Sequence, residues 1–304
     1  NNKLELVWTI LPAIALAIII VFGIRTWNGI MYNNEKGQVV EVYAYQFGWL
    51  VRYAGVDNQL GEANYKLVSS TNPLGVITEK SIKDTYEEID KKVLNIDQDL
   101  KVKRNANGDL LIPKSKADKN LEELERLKIR KYRIEAAIDK GESNSTAYSS
   151  SDDDVVVQEL HLVKDQPYTF IFRSKDVIHC PWLPHFRAQI NSVPGMETSF
   201  KLTPTITTKE MRMMPEVQEH YKNINEIHNE RKRRIGEEEE KVLFDYVLLC
   251  NKICGAGHSN MQLKVIVETQ EEFENWIENN GDKKRLTFSG QEVNWSETKE
   301  QASL

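Results

Sequence analysis

Residues 244–268, FDYVLLCNKICGAGHSNMQLKVIVE, decide the fold. The first six of them and the final segment Gln262–Glu268 have the apolar and β-branched content of strands. Between these segments lies a loop of mostly small and polar residues that also carries two thiols, an imidazole and a thioether. The pattern predicts a metal-binding loop that is held at both ends by strands.

The potential side-chain ligands of this loop are Cys250, Cys254, His258 and Met261. Thiolate and imidazole ligands together favour copper, and the added thioether argues against zinc. The Cys-x3-Cys spacing also differs from the Cys-x2-Cys spacing of most zinc ribbons and fingers. One nitrogen ligand is missing from the loop. His179 is the best candidate for it, because it follows an apolar strand-like run in a short loop-like segment.

This set of residues resembles the binuclear copper (CuA) site of subunit 2 of haem-copper cytochrome c oxidases. Cys250, Cys254, His258 and Met261 match the four side-chain ligands of the family's loop, and His179 matches its upstream histidine. The resemblance implies that the cysteines bridge two copper ions, that each histidine binds one of them, and that Met261 is an axial ligand. Such a site has no open position and passes electrons without performing bond chemistry, so no catalytic residue is expected in this chain.

Lys252, between the two cysteines, departs from the family pattern. The family usually has a glutamate here, whose backbone carbonyl binds copper and whose side chain holds a magnesium ion at the interface with subunit 1. A carbonyl is present whatever the side chain, so Lys252 is still implied as a copper ligand through its backbone. The magnesium role does not transfer to a lysine.

The apolar run over residues 4–24 predicts a transmembrane helix. Twenty-one residues at about 1.5 Å each span about 31 Å, close to the ~30 Å hydrocarbon core of a bilayer. Trp8, Trp27 and Tyr32 lie near its ends, as interfacial aromatic residues do. A signal peptide is disfavoured, since the run is too long and no small-residue cleavage site follows it.

Glu5 lies inside this apolar run. A carboxylate near the end of a membrane helix costs little, so an interfacial residue without a role is one interpretation. The segment Glu5-Leu-Val-Trp8-Thr9-Ile-Leu-Pro12 also resembles the start of the family's second transmembrane helix. The matching glutamate there stands at the mouth of the proton pathway into subunit 1. The resemblance implies that role for Glu5, and an earlier helix of the family is expected to be missing from this chain.

The strand-like residues 37–49 end in Gln46-Phe47-Gly48-Trp49. The family has a Gln-Trp-x-Trp pattern here, and its first tryptophan takes up electrons from cytochrome c. The resemblance implies electron uptake through Phe47 and Trp49, with Phe47 in place of the usual tryptophan. Plain core packing is the alternative, and it is the more common fate of strand aromatics.

We predict a membrane-anchored all-β protein: a transmembrane helix followed by a cupredoxin-like antiparallel β-sandwich with helical insertions. The first insertion is partly helical and ends in a flexible acidic connector over residues 142–154, and the second is a charged helical segment. The expected segments are the transmembrane helix 1–35, the first strands 36–54, the first insertion 55–154, the sandwich core 155–212, the second insertion 213–243, the core with the copper loop 244–280, and a polar tail 281–304.

Charge and cysteine content limit the alternatives. A net charge of −6 argues against a nucleic-acid partner. Three cysteines cannot form a complete disulfide framework, although a Cys250–Cys254 disulfide with Cys180 left free is a possible arrangement. A membrane-anchored structural or binding module with a zinc site or a disulfide is therefore the alternative to the copper interpretation.

The leading interpretation is the electron-accepting subunit of a respiratory cytochrome c oxidase. It would receive electrons from a cytochrome c and pass them to haem in subunit 1, where haem and copper reduce oxygen to water and protons are translocated. The implied partners are oxidase subunits 1 and 3, membrane lipid and the donor. Phe47 and the insertions suggest a dedicated or fused cytochrome, or a supercomplex. The copper domain is expected on the periplasmic side of the inner (plasma) membrane.

Overall fold

The computed structural model describes residues 2–31, 37–69, 72–102, 113–139, 151–280 and 283–284. The chain divides into two compact units. Unit 1 comprises Asn1–Arg52 and Val157–Phe273, and unit 2 comprises Tyr53–Val156 and Glu274–Leu304. The predictions for Tyr32, for residues 142–150 of the acidic connector and for most of the polar tail lie outside the described residues.

Helix α1 (Asn2–Met31) contains the apolar N-terminal run. Its segment Lys3–Ile30 is long and apolar enough to cross a membrane, with a mean hydropathy of 2.6. None of this segment is buried within the described chain, and large side chains such as Trp8 and Phe22 are exposed along it. Length and composition thus agree with the predicted membrane span.

The first sheet of unit 1 contains the strand order β2-β1-β5-β8. Strand β1 runs parallel to β5, with Val40 opposite Phe170, and β5 runs antiparallel to β8. Phe170 and Phe172 of β5 are buried and stacked at a centroid distance of 5.9 Å. The strands are β1 (Gln38–Tyr45), β2 (Gly48–Tyr53), β5 (Tyr168–Ser174) and β8 (Thr198–Leu202), and β3 (Val155–Val157) lies at the boundary of the two units.

The second sheet has the order β4-β10-β9-β6-β7. Its centre is the antiparallel pair β9–β10, in which Leu249 lies opposite Gln262. The backbone N–H of Val163 donates to the Tyr168 hydroxyl at 2.8 Å, which connects this sheet to the first one. The strands are β4 (Leu160–Val163), β6 (Pro181–Leu183), β7 (Ala188–Gln189), β9 (Tyr246–Cys250) and β10 (Gln262–Glu268).

The predicted architecture is confirmed: an apolar helix precedes a β-rich domain that carries helical insertions. The prediction that the sheets are antiparallel throughout is wrong, because β1 pairs with β5 and β4 pairs with β10 in parallel. Parallel pairing requires a long connection between the two strands. Both pairs have one, since residues 46–167 separate the first and residues 164–261 the second.

Among the described helices after α1, two lie in the first insertion, two lie between β8 and β9, and one follows β10. The charged segment before the metal loop forms one of these helices, as predicted. The helices are α2 (Glu79–Val102), α3 (Lys114–Asp139), α4 (Thr208–Met213), α5 (Pro215–Ile235) and α6 (Gln270–Glu278).

In unit 2, α2 and α3 form a helical pair with an apolar core of its own. Ile89 of α2 is buried together with Leu127 and Ile134 of α3. The predicted flexible connector is wrong at its C-terminal end, since Ser151 and Asp154 are both 0% exposed. Asp154 accepts a hydrogen bond from the Gly61 backbone at 3.1 Å, which explains why an acidic residue is ordered there.

Candidate metal centre

The strand pair β9–β10 holds both ends of the metal loop. Cys250 is the last residue of β9, and Met261 directly precedes β10. The Cys250 N–H donates to the Met261 carbonyl at 3.1 Å, and the Met261 N–H donates to the His258 carbonyl at 3.2 Å. These backbone hydrogen bonds bring the predicted ligands Cys250, His258 and Met261 together without the help of a metal ion.

A second segment of the chain, just before β6, positions His179 beside the metal loop. His179 exchanges two backbone hydrogen bonds with Ser192, at 3.0 and 2.8 Å. Pro181 lies opposite Cys250 across β6 and β9, and the Asn251 N–H donates to the Cys180 carbonyl at 2.9 Å. The pairing of β6 with β9 therefore sets the position of His179 relative to the loop.

The donor atoms of the first half of the site surround the Cys250 sulfur. His179 Nδ1 lies 3.8 Å from Cys250 Sγ, and the Lys252 carbonyl oxygen lies 3.2 Å from it. The Sγ atoms of Cys250 and Cys254 are 3.9 Å apart. His179 is 0% exposed and both thiols are buried, so water is largely kept away from these donors.

The second half of the site surrounds the Cys254 sulfur in a similar way. His258 Nδ1 lies 3.6 Å from Cys254 Sγ, and Met261 Sδ lies 3.7 Å from it. Met261 is 1% exposed. Each cysteine thus has one imidazole nitrogen and one further donor, a carbonyl oxygen or a thioether, beside it.

These separations are those of atoms that share a metal ion. Bonds of about 2.3 Å to sulfur and about 2.0 Å to nitrogen at near-tetrahedral angles place the two donors about 3.5–3.8 Å apart. The sulfur–nitrogen distances of 3.8 and 3.6 Å agree with this value. The ligand atoms of His179, Cys250 and Cys254 all lie within 4.8 Å of one another. The residues present therefore fit a metal centre.

The disulfide considered for Cys250 and Cys254 is wrong, since both are free thiols and their sulfurs lie 3.9 Å apart. A disulfide bond measures about 2.05 Å. Burial, and then the proximity of Cys250, raise the pKa of the Cys254 thiol to about 11. A bound cation has the opposite effect on a thiol, because it stabilises the thiolate directly.

Asp176 orients the buried His179. Its Oδ1 lies 2.9 Å from His179 Nε2, on the opposite side of the imidazole from the metal-facing Nδ1. Burial would raise the pKa of Asp176, but hydrogen bonds from His179, Gln46 and Val177 outweigh it and lower that pKa. A carboxylate at this position fixes the imidazole ring and makes its free nitrogen a better ligand. Asp176 is not among the site residues predicted from the sequence, although its position three residues before His179 is a signal for this role.

The two aromatic residues predicted for electron uptake contact different parts of the site. Trp49 is 3% exposed and makes an edge-on contact with His179 at a centroid distance of 6.1 Å. Phe47 is 41% exposed, and its ring covers the loop so closely that a Cβ on Gly257 would lie 2.6 Å from Phe47 Cγ. Phe47 therefore connects the loop with the protein surface, while Trp49 packs in the interior.

Glu5 and Cys180 are not among the donors of the metal centre. Glu5 is in the first turn of α1 with an exposed side chain, so the structure does not bring it to the metal loop. Cys180 is a buried free thiol beside His179, and a buried free cysteine usually packs as a small apolar side chain.

Comparison with curated proteins finds subunits of respiratory oxidases. "Alternative cytochrome c oxidase subunit 2" of Bradyrhizobium diazoefficiens is 23% identical over 292 residues, which are 95% of this chain and 66% of that protein. "Cytochrome c oxidase subunit 2" of Thermostichus vulcanus is 26% identical over 134 residues, which are 44% of this chain and 29% of that protein. The chain therefore spans less than two thirds of the length of either relative.

A scan against models of known protein families finds no match. Among solved structures, the periplasmic domain of cytochrome oxidase subunit II of Bradyrhizobium japonicum aligns at 12% identity with a TM-score of 0.33, covering 80% of this chain and 92% of that chain. A haem-copper terminal oxidase dimer aligns at 18% identity with a TM-score of 0.24, covering 36% of this chain. The curated relatives confirm that the chain resembles subunit 2 of cytochrome c oxidases, which are oxidoreductase complexes.

Proposed function

We propose that this chain is the electron-accepting subunit of a membrane cytochrome c oxidase, with a centre of two copper ions bridged by Cys250 and Cys254. The observation that carries the proposal is the paired arrangement of donors around two sulfurs 3.9 Å apart. His179 and His258 would each hold one copper, and Met261 and the Lys252 carbonyl would supply the remaining donors. Two cysteines and two histidines would already satisfy a single zinc ion. It is the additional thioether and carbonyl donors that favour copper.

When bound, such a pair of copper ions takes up and gives up one electron. The chain's own residues make that exchange easy by holding the donors still. The loop is tied at both ends to β9 and β10, and Asp176 fixes the ring of His179. Burial of both thiols and of Met261 excludes water, so the surroundings need to rearrange little when the charge changes.

Electrons would reach the centre from a cytochrome c or from a dedicated cytochrome domain, and would leave it towards haem in subunit 1. Phe47 is the proposed surface contact for uptake because it is exposed and covers the loop. Trp49 is proposed to support His179 from the interior side. Subunits 1 and 3 are the proposed partners in the complex.

Helix α1 is proposed to anchor the chain in the inner membrane, with the metal domain on the periplasmic side. Its fully exposed apolar surface supports this proposal, since a bilayer is the environment in which such a surface is stable. Glu5 is then proposed to stand at the inner end of the span, at the mouth of a proton pathway into subunit 1.

Lys252 affects only one part of the proposal. Its backbone oxygen faces Cys250, whereas its side chain is exposed. A lysine ammonium offers no lone pair to a cation, so this side chain is not proposed as a magnesium ligand.

Copper content tests the proposal. The full chain, produced in copper-supplemented cells and purified in detergent, is expected to hold two copper ions. Cys250→Ser and Cys254→Ser are expected to lose the binuclear centre. Cys180→Ser is the matched control, because it removes a neighbouring buried thiol that contributes no donor, and it should keep both ions. A wild-type chain that takes up one zinc ion and no copper would overturn the proposal.

A further inference from the structure

Gln46 lies in the turn between β1 and β2 and contacts both segments of the metal centre. Its side-chain Nε2 donates to the backbone carbonyl of Cys254 at 2.5 Å. Its backbone N–H donates to Asp176 Oδ2 at 2.7 Å. The two partners are far apart in sequence, 208 and 130 residues from Gln46, so one residue joins two distant segments.

The contact with Asp176 leads directly to a ligand. Oδ2 of this carboxylate accepts from Gln46, while Oδ1 lies 2.9 Å from His179 Nε2. A continuous series of hydrogen bonds therefore runs from the carbonyl of Cys254 through Gln46 and Asp176 to His179. It connects the two halves of the site on the side away from the sulfurs.

The glycines of the loop make this approach possible. A Cβ on Gly255 would lie 3.0 Å from Gln46 Nε2 and 2.9 Å from Phe47 Cε1. A Cβ on Gly257 would lie even closer to the base of the Phe47 ring. The small residues between Cys254 and His258 thus leave room for the residues of the β1–β2 turn to lie directly on the loop backbone.

We propose that Gln46 is a positioning residue of the metal centre, which fixes the Cys254 half of the loop relative to His179. The expected effect of Gln46 on copper release rests on the proposed copper function, whereas its expected effect on the loop does not. Its two hydrogen bonds reach the Asp176 carboxylate and the Cys254 carbonyl, neither of which is a proposed copper donor. Because Gln46 is exposed, these hydrogen bonds and not its packing carry the effect.

Amide hydrogen exchange of the metal-free full chain tests the effect on the loop. Gln46→Met removes the donor at nearly constant size, and Gln46→Glu removes it with an isosteric carboxylate. In both variants, the backbone amides of residues 255–261 are expected to exchange about fivefold faster than in wild type. This is the change expected for the loss of one ordinary hydrogen bond. Gln166→Met is the matched control, because Gln166 donates to Gln38 away from the loop.

Copper release to a chelator tests the consequence. The Gln46→Met chain is expected to take up two copper ions and to lose them about fivefold faster than wild type, while Gln166→Met releases them at the wild-type rate. Loop exchange and copper release at wild-type rates in both Gln46 variants would overturn the inference while the copper function stands. A wild-type chain without copper would instead overturn the proposed function, and the exchange experiment would still decide the role of Gln46.

Discussion

The Sγ atoms of Cys250 and Cys254 lie 3.9 Å apart, with His179 Nδ1 beside the first and His258 Nδ1 beside the second. The distance is too long for a disulfide and suits two thiolates that share metal ions. Because each sulfur has its own imidazole and its own additional donor, the site consists of two similar halves. The six potential donors, which include the Met261 thioether and the Lys252 carbonyl, exceed the four that a structural zinc ion takes.

Met261 is expected to tune the centre without being needed for its assembly. Met261→Leu keeps the buried volume, so the free energy of unfolding should fall by less than about 1.5 kcal/mol. Loss of the thioether removes a weak axial donor that stabilises the oxidised form, so the reduction potential should rise. Potentiometric titration checks this, with copper content as the control. An unchanged potential would show that the thioether is not a ligand.

Phe47 is expected to act in electron uptake and not in metal binding. Phe47→Leu retains an apolar side chain over the loop but removes the aromatic ring. The copper content and the spectrum should stay close to wild type, while the rate of reduction by a cytochrome donor in stopped-flow experiments should fall. A wild-type rate would assign Phe47 to packing alone.

A buried ion pair in unit 1 is expected to control stability. Arg52 and Glu41 are 3.2 Å apart, with side chains 0% and 3% exposed. Glu41→Gln removes a buried carboxylate that pairs with Arg52 and, at 3.3 Å, also with Arg173, which should lower the free energy of unfolding by about 3–5 kcal/mol. Glu197→Gln alters the more exposed pair with Arg173 and should cost at most about 1 kcal/mol. Denaturant titration compares the two, and equal effects would contradict this account.

Glu5 is expected to matter only in the assembled oxidase. Glu5→Ala should slow proton-linked turnover in proteoliposomes and leave reduction of the copper centre unchanged, because the residue lies in α1 and not in the metal loop. Wild-type turnover of this variant would assign Glu5 to an interfacial position without a role.

The donor set could be predicted from the sequence because its chemistry is concentrated in one short loop. Cys250, Cys254, His258 and Met261 are close in the chain, and soft ligands at such spacing have few other uses. The apolar run of α1 was equally predictable from its length. Each of these features depends on local sequence alone.

The relationships across the fold could not be predicted in the same way. Strand direction in β1–β5 and β4–β10 depends on how long connections return to the sheet, which hydrophobic patterns do not encode. The role of Gln46 depends on a contact across 208 residues. The order of Ser151 and Asp154 depends on burial in unit 2, whereas their composition is typical of a solvated connector.

Low-temperature electron paramagnetic resonance of the copper-loaded full chain tests the central claim most directly. Wild type and Cys180→Ser should show the hyperfine pattern of one unpaired electron shared equally by two copper nuclei, and Cys254→Ser should lose this pattern. A spectrum from one copper nucleus, or a wild-type chain without a copper signal in any oxidation state, would contradict the claim.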